Sequence, residues 1–264
     1  NCACTVSRKR MDFLQSNVSA GALATADANK IVGRSVIQRH LPSTSAPIAK
    51  LPSLEQLLMD DFHHVYEPSD DTFLLCDAIQ QDHARILQSQ PHLILEVGSG
   101  SGCVITFAAG LLQESGVQDL VSLATDINPR AAEATKRVAS ANNVAVEVVL
   151  GSFVTSFQST RLERQVDVLL FNPPYVPTPS EEIRGTGIEV SWAGGKDGRE
   201  VIDEYLPLID KLLSPSGNSY MVLVEENFPQ QIIDTLSEQY GLHSEIVLRR
   251  RAYNESLMIL RTHR

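Results

Sequence analysis

The residues Asn172-Pro173-Pro174-Tyr175 combine side-chain types that could grip a flat polar group. Proline carries no N–H, so two in succession continue neither a sheet nor a helix, and the segment is stiff with carbonyls free to face a cleft. Asn172 adds one side-chain acceptor and two donors, and Tyr175 adds a flat face. Such a site suits a planar group bearing an NH2, either a carboxamide or an adenine. For the tetrapeptide taken alone, a rigid turn is the plain alternative. Its position sharpens the reading. It follows the apolar run 166–171, which reads as a buried strand, and open α/β sheets bind ligands at the carboxyl ends of their strands.

A second constellation lies upstream. Leu93-Ile94-Leu95-Glu96-Val97 runs into Gly98-Ser99-Gly100-Ser101-Gly102. Glycines allow positive φ and close approach of a ligand to backbone N–H groups. The spacing is G-x-G-x-G rather than the dinucleotide G-x-G-x-x-G. The next apolar run ends at Asp126, where a carboxylate can accept from two ribose hydroxyls. The pair predicts a nucleoside-containing cofactor. It leaves a nicotinamide or an S-adenosylmethionine open, with a tight structural turn as the alternative.

These residues need a frame. Helical patterns over 70–79, 103–114, 129–142, 200–213 and 230–239 alternate with strand patterns over 92–97, 120–125, 144–150, 166–171 and 219–224. Runs at 244–250 and 257–261 read as a closing antiparallel pair, and Ser214-Pro215-Ser216-Gly217 as a helix stop. The expected fold is α/β and Rossmann-like, a seven-stranded, mostly parallel sheet with a C-terminal antiparallel strand. Residues 1–60 are expected to be a largely disordered extension, with a short helix near 46–60, and 61–264 the domain.

Charge divides the same way. Residues 1–60 carry seven Lys/Arg against four Asp/Glu, and the remainder fifteen against twenty-eight, a net of −13. A domain so acidic lacks the electrostatic footprint of a duplex-binding protein. Arg249-Arg250-Arg251 is read as a solvated strand edge. Cys2, Cys4, Cys76 and Cys103 are too scattered for a disulfide framework, no metal site is expected, and an intracellular location fits, cytoplasmic with the nucleus as a second compartment. No apolar stretch reaches transmembrane length, so no membrane partner is expected. His63-His64 is read as a surface or packing pair.

With Glu96 and its glycine turn, Asp126 and the Asn-Pro-Pro-Tyr at successive strand ends, the chain resembles amino-methyltransferases that use S-adenosylmethionine. Tyr66-Glu67-Pro68-Ser69-Asp70-Asp71-Thr72 before the first strand and Trp192-Ala193-Gly194-Gly195-Lys196-Asp197-Gly198-Arg199-Glu200 after the tetrapeptide narrow this. The series is similar to the HemK family of protein-glutamine N5-methyltransferases, in its eukaryotic and archaeal branch. The resemblance implies a class I methyltransferase fold and, as substrate, the Gly-Gly-Gln glutamine of a class I release factor. Thr72 would meet the methionine part of the cofactor, Glu96, Gly98 and Gly100 line its cleft, Asp126 hold the ribose, and Ile127 lie on the adenine. Asn172, Pro173 and Tyr175 would hold the substrate amide, with Asn172 also meeting the cofactor. The family's acid after the third strand is replaced by Ser152, a neutral acceptor, beside Phe153, which would flank the adenine. The resemblance also implies a heterodimer with a small zinc-binding activator protein along the third-strand edge. Four rivals are an adenine N6-methyltransferase on nucleic acid, a histone-lysine methyltransferase, a nicotinamide-dependent dehydrogenase and a non-catalytic scaffold.

Overall fold

A computed structural model of the protein describes residues 49–152, 162–252 and 255–264. Helix α1 (Asp70–Gln81) begins with two acids at its positive end and is followed by α2 (His83–Gln88). Then come β1 (Leu93–Val97), α3 (Cys103–Glu114), β2 (Val121–Asp126), α4 (Pro129–Ala141), β3 (Glu147–Leu150) and β4 (Val166–Phe171). The chain closes with α5 (Glu200–Leu212), β5 (Leu213–Leu223), α6 (Pro229–Tyr240), β6 (His243–Ala252) and β7 (Glu255–His263). Asn128 caps α4 by accepting the Arg130 N–H at 3.0 Å, and Pro129 supplies a preset φ at the first helical position. The expected short helix near 46–60 is not formed over 49–60, which is turn and irregular chain.

The seven strands run in the order β3-β2-β1-β4-β5-β7-β6. The first five are parallel to one another, and β7 lies antiparallel between β5 and β6. The chain winds outward from β1 to β3, then returns to place β4 on the other side of β1. That reversal opens a crevice at the carboxyl ends of β1 and β4. Both strands are buried along their whole length, as near-continuous apolar runs require when helices cover both faces.

Two strands differ from the sequence reading. β3 spans only Glu147–Leu150, shorter than the 144–150 pattern, and is the outer strand of the sheet with Val149 and Leu150 exposed, in keeping with the third-strand edge that the resemblance implies. β5 starts at Leu213, so Ser214-Pro215-Ser216-Gly217 belongs to a strand. The cause is local to β4. The Ser214 hydroxyl donates to Asp167 at 2.6 Å, and a Cβ at Gly217 would stand 2.6 Å from the Val166 carbonyl oxygen. The polar run is drawn in against β4, whose register shifts between Val166 and Val168. β6 forms the opposite outer strand; Arg249 and Arg251 on it are exposed, and Arg250 pairs with Asp77. Residues ahead of 61 also pack on the domain: Leu57 is buried with Val65, Ala131, Ala134 and Val138.

Asp167 is the one acid inside the apolar β4 run, and it is buried. It accepts the backbone N–H groups of His92 at 2.8 Å and Leu93 at 3.1 Å, so it pins the start of β1 as well as that of β5. Asp167→Ala would leave three donors without an acceptor and should lower unfolding stability by about 3 kcal/mol in urea titration. A loss below about 0.5 kcal/mol would show that water replaces the carboxylate at no cost.

Candidate functional site

The crevice is a cleft of about 1240 Å³. Among its lining residues are Thr72, Glu96, Gly98, Gly100, Asp126, Ile127, Ser152, Asn172, Pro173 and Tyr175. The structure therefore brings together every expected site residue that it describes. Phe153 lies outside the described residues.

One wall is the turn after β1. Gly98, Gly100 and Gly102 all have positive φ, at 63°, 52° and 77°. At Gly102 a Cβ would stand 2.7 Å from the Thr135 backbone, so α4 could not close on the turn if any side chain were there. Thr135 braces the same turn, its hydroxyl 2.8 Å from that of Ser99 and donating to the Gly100 carbonyl at 3.3 Å. Asp126, at the end of β2, accepts the Gly100 N–H and the Asn128 N–H, each at 2.8 Å. Burial raises its carboxyl above the usual range, and those backbone donors act against the rise. Ile127 beside it is an exposed apolar face, and Ser152 lies just past the end of β3. Glu96, at the penultimate position of β1, is 2 % exposed. Its Oε2 accepts the Ile105 N–H of α3 at 2.8 Å, and burial pushes its carboxyl well above the ordinary value.

The other wall is the segment after β4. Asp71, 3 % exposed at the start of α1, gathers it. Asn172 Nδ2 donates to Asp71 Oδ2 at 2.9 Å, the Tyr175 hydroxyl at 3.3 Å and the Tyr66 hydroxyl at 3.1 Å. Burial, with the Asp71 charge next, raises both phenols, which keep their protons and act as donors. Asn172 Oδ1 is buried and has no hydrogen-bond partner among the described residues. Thr72 is a cleft residue whose hydroxyl also serves the helix start, accepting the Ser69 N–H at 3.3 Å and donating to Asp71 Oδ1 at 3.2 Å.

A backbone ladder fixes the tetrapeptide from behind. The Val176 N–H donates to the Trp192 carbonyl at 3.0 Å, and the Gly194 N–H to that of Val176 at 2.8 Å. A Cβ at Gly198 would fall 1.9 Å from the Tyr175 carbonyl oxygen, so the two backbones touch and only glycine fits. Asn227 closes the knot. Its Nδ2 donates to the carbonyls of Tyr175 and Asp197 at 2.9 and 3.0 Å, and its Oδ1 accepts the Val224 N–H at 2.8 Å.

Sequence reasoning passed over Asp71, Asn227 and Glu255. Asp71 read as a helix-start acid, and Asn227, just past the end of β5, carried no signal beyond that place. Glu255 opens β7 and lines the cleft, its carboxyl raised by burial and then by Asp71. His63 and His64 are exposed at the cleft's rim.

Comparison with known proteins agrees with this geometry. The family model for the methyltransferase small domain matches residues 72–184. Mouse methyltransferase HEMK2 is 42 % identical over 217 residues, which are 82 % of this chain and 98 % of that protein. The chain belongs to the HemK-like methyltransferase family. The eRF1 methyltransferase catalytic subunit mtq2 of Schizosaccharomyces pombe is 38 % identical over 223 residues, 81 % of this chain and 95 % of the relative. The solved Mtq2-Trm112 complex of E. cuniculi, described as responsible for methylation of the eRF1 translation termination factor, is 26 % identical. It superposes with a TM-score of 0.54 over 76 % of this chain and 98 % of that one.

The buried Glu96 gives a pH test. Its pKa is higher folded than unfolded, so folding takes up protons and stability falls as pH rises above the ordinary value of 4.5. Glu96→Gln removes that slope. In thermal unfolding without cofactor, the variant should gain on the parent as pH climbs from 4.5 to neutrality. A gap that instead widens toward low pH would contradict a Glu96 carboxyl raised by burial.

Proposed function

We propose that this chain transfers a methyl group from S-adenosylmethionine to the side-chain amide nitrogen of a glutamine in a protein, the Gly-Gly-Gln glutamine of a class I release factor. The observation that carries the reading is the Asn172 amide. Its NH2 donates to Asp71, and its Oδ1 is buried with no partner among the described residues. An orphaned buried acceptor costs free energy unless a donor arrives, and a substrate N–H is such a donor.

The cleft suits the cofactor. Asp126 offers a carboxylate for ribose hydroxyls, and Ile127 and Ser152 offer an apolar face and a neutral acceptor for an adenine. Thr72, Glu96, Gly98 and Gly100 would hold the amino-acid end. Bound there, the cofactor supplies an activated methyl group on a sulfonium.

The chain's own residues do the rest. An amide nitrogen is a poor nucleophile because its lone pair is delocalised into the carbonyl. Asn172 Oδ1 and the Pro173 carbonyl accept its two N–H bonds and so fix its direction of approach. They also match the positive charge that grows on nitrogen, and Tyr175 packs on the amide plane. The rate gain is therefore one of orientation and prepared acceptors, and no strong base is required: the N–C bond forms as the S–C bond breaks to leave a neutral thioether, and one N–H proton then leaves the cationic nitrogen to solvent. Tyr175 is unsuited to that task in any case, since it keeps its proton on Asp71.

The same reading includes a partner and a place of work. The exposed β3 edge with Val149 and Leu150 fits a small zinc-binding activator, as Trm112 accompanies Mtq2 in the related complex. A translation factor as substrate puts the activity in the cytoplasm.

The test offers radiolabelled S-adenosylmethionine to the chain with and without that activator. Three substrates compete: a release factor, its Gln→Asn version and single-stranded DNA. Label should enter the first alone. Asn172→Ala should lower the rate by about 100-fold or more while S-adenosylmethionine still binds. Label on DNA, equal label on both release factors, or an unchanged Asn172→Ala rate would each overturn the reading.

A further inference from the structure

Asp71 has five donors and nothing left to accept with. Oδ1 takes the Thr72 backbone N–H at 2.6 Å and the Thr72 hydroxyl at 3.2 Å. Oδ2 takes Asn172 Nδ2, the Tyr66 hydroxyl and the Tyr175 hydroxyl, at 2.9, 3.1 and 3.3 Å. A carboxylate only accepts, whereas an asparagine amide has a donor end and an acceptor end of nearly equal shape. Asp71 therefore decides which end of Asn172 faces which way. The NH2 must turn to Asp71, and Oδ1 must turn to the side where it meets no donor among the described residues.

We infer that Asp71 is a positioning residue that sets substrate choice through Asn172. By holding the acceptor end of that amide toward the reacting group, it admits a group bearing N–H. It rejects one that places an oxygen acceptor at the same point, such as the carboxylate of a glutamate in place of glutamine. The inference deepens the amide-methylation reading and rests on it.

The chemistry of Asp71→Asn makes this testable. The new side chain has almost the same shape but carries one NH2. The Thr72 backbone N–H cannot turn away, so the remaining oxygen must stay on it. The NH2 then falls toward Tyr66, Tyr175 and Asn172. Both hydroxyls can rotate and accept. The Asn172 amide must turn over, and its own NH2 then faces the substrate nitrogen, donor against donor. Asp71→Asn with Asn172→Asp repairs the fault. The new carboxylate accepts from the substituted amide with one oxygen and from the substrate with the other.

The experiment uses the full chain with its activator and S-adenosylmethionine. The substrate is a release factor carrying Gly-Gly-Gln, with its Gln→Glu version as competitor. The parent should bind the glutamate version at least about tenfold more weakly than the glutamine one. Asp71→Asn should lower kcat for glutamine by about 100-fold, and should bind the glutamate version about tenfold more tightly than the parent does. The exchanged pair should recover at least about tenfold in kcat over Asp71→Asn alone. A merely structural Asp71 would give no gain for glutamate and no recovery. Equal binding of the two versions by the parent overturns the inference even if Asp71→Asn fails to fold. So does an Asp71→Asn variant with kcat within about threefold of the parent. A parent that leaves the glutamine substrate unlabelled overturns the amide reading and this inference together, whereas a parent that labels it with no glutamate gain in the variant overturns this inference alone.

Discussion

The Asp71 carboxylate joins the Tyr66 approach and the first turn of α1 to the segment after β4, whose Asn172 lies 101 residues further along the chain. A buried carboxylate is tolerated only when its lone pairs are filled. Its five donors therefore stand or fall together. The helix start cannot settle without Asn172 and Tyr175 in place, and those two cannot take another pose without stranding a charge. That mutual dependence turns a stiff Asn-Pro-Pro-Tyr turn into a site of one geometry. It also accounts for the neighbouring backbone contacts. Gly198 and Asn227 hold the Tyr175 carbonyl from the far side, so the segment is clamped on both faces.

The cofactor side is organised by a different constraint. Parallel strands on either side of a winding reversal leave their carboxyl ends open, and β1 and β4 end in that opening. The glycine turn brings backbone N–H groups to the cleft, and Asp126 accepts one of them at Gly100. Asp126 and Glu96 are thus buried acids with backbone donors to hold them and a raised affinity for protons. Such acids cost stability in the free chain, a common price of a prepared binding site.

Much of this was legible because its signals are local. The apolar runs of β1 and β4, the glycine spacing, Asp126 and the Asn-Pro-Pro-Tyr each declare themselves within ten residues, and a parallel sheet aligns their ends automatically. Asp71 was not legible in that way. Two acids before a helix are ordinary capping chemistry, and the partners that give one of them a second task lie 101 and 104 residues away. Asn227 was hidden for the same reason, with its Tyr175 contact 52 residues distant. The start of β5 was masked by a turn-like Ser-Pro-Ser-Gly that tertiary contacts with Val166 and Asp167 draw into the sheet. The Val-rich run of β3 fitted both a partner-covered edge and a buried strand, and only the resemblance pointed to the edge, because position in a sheet follows from winding and not from residue type.

The most direct measurement is the site of methylation itself. A release factor treated with the chain, its activator and S-adenosylmethionine is digested and sequenced by fragmentation mass spectrometry. The account predicts one methyl group, on the side-chain nitrogen of the Gly-Gly-Gln glutamine. A methyl group on a lysine, or on any residue other than that glutamine, would contradict it.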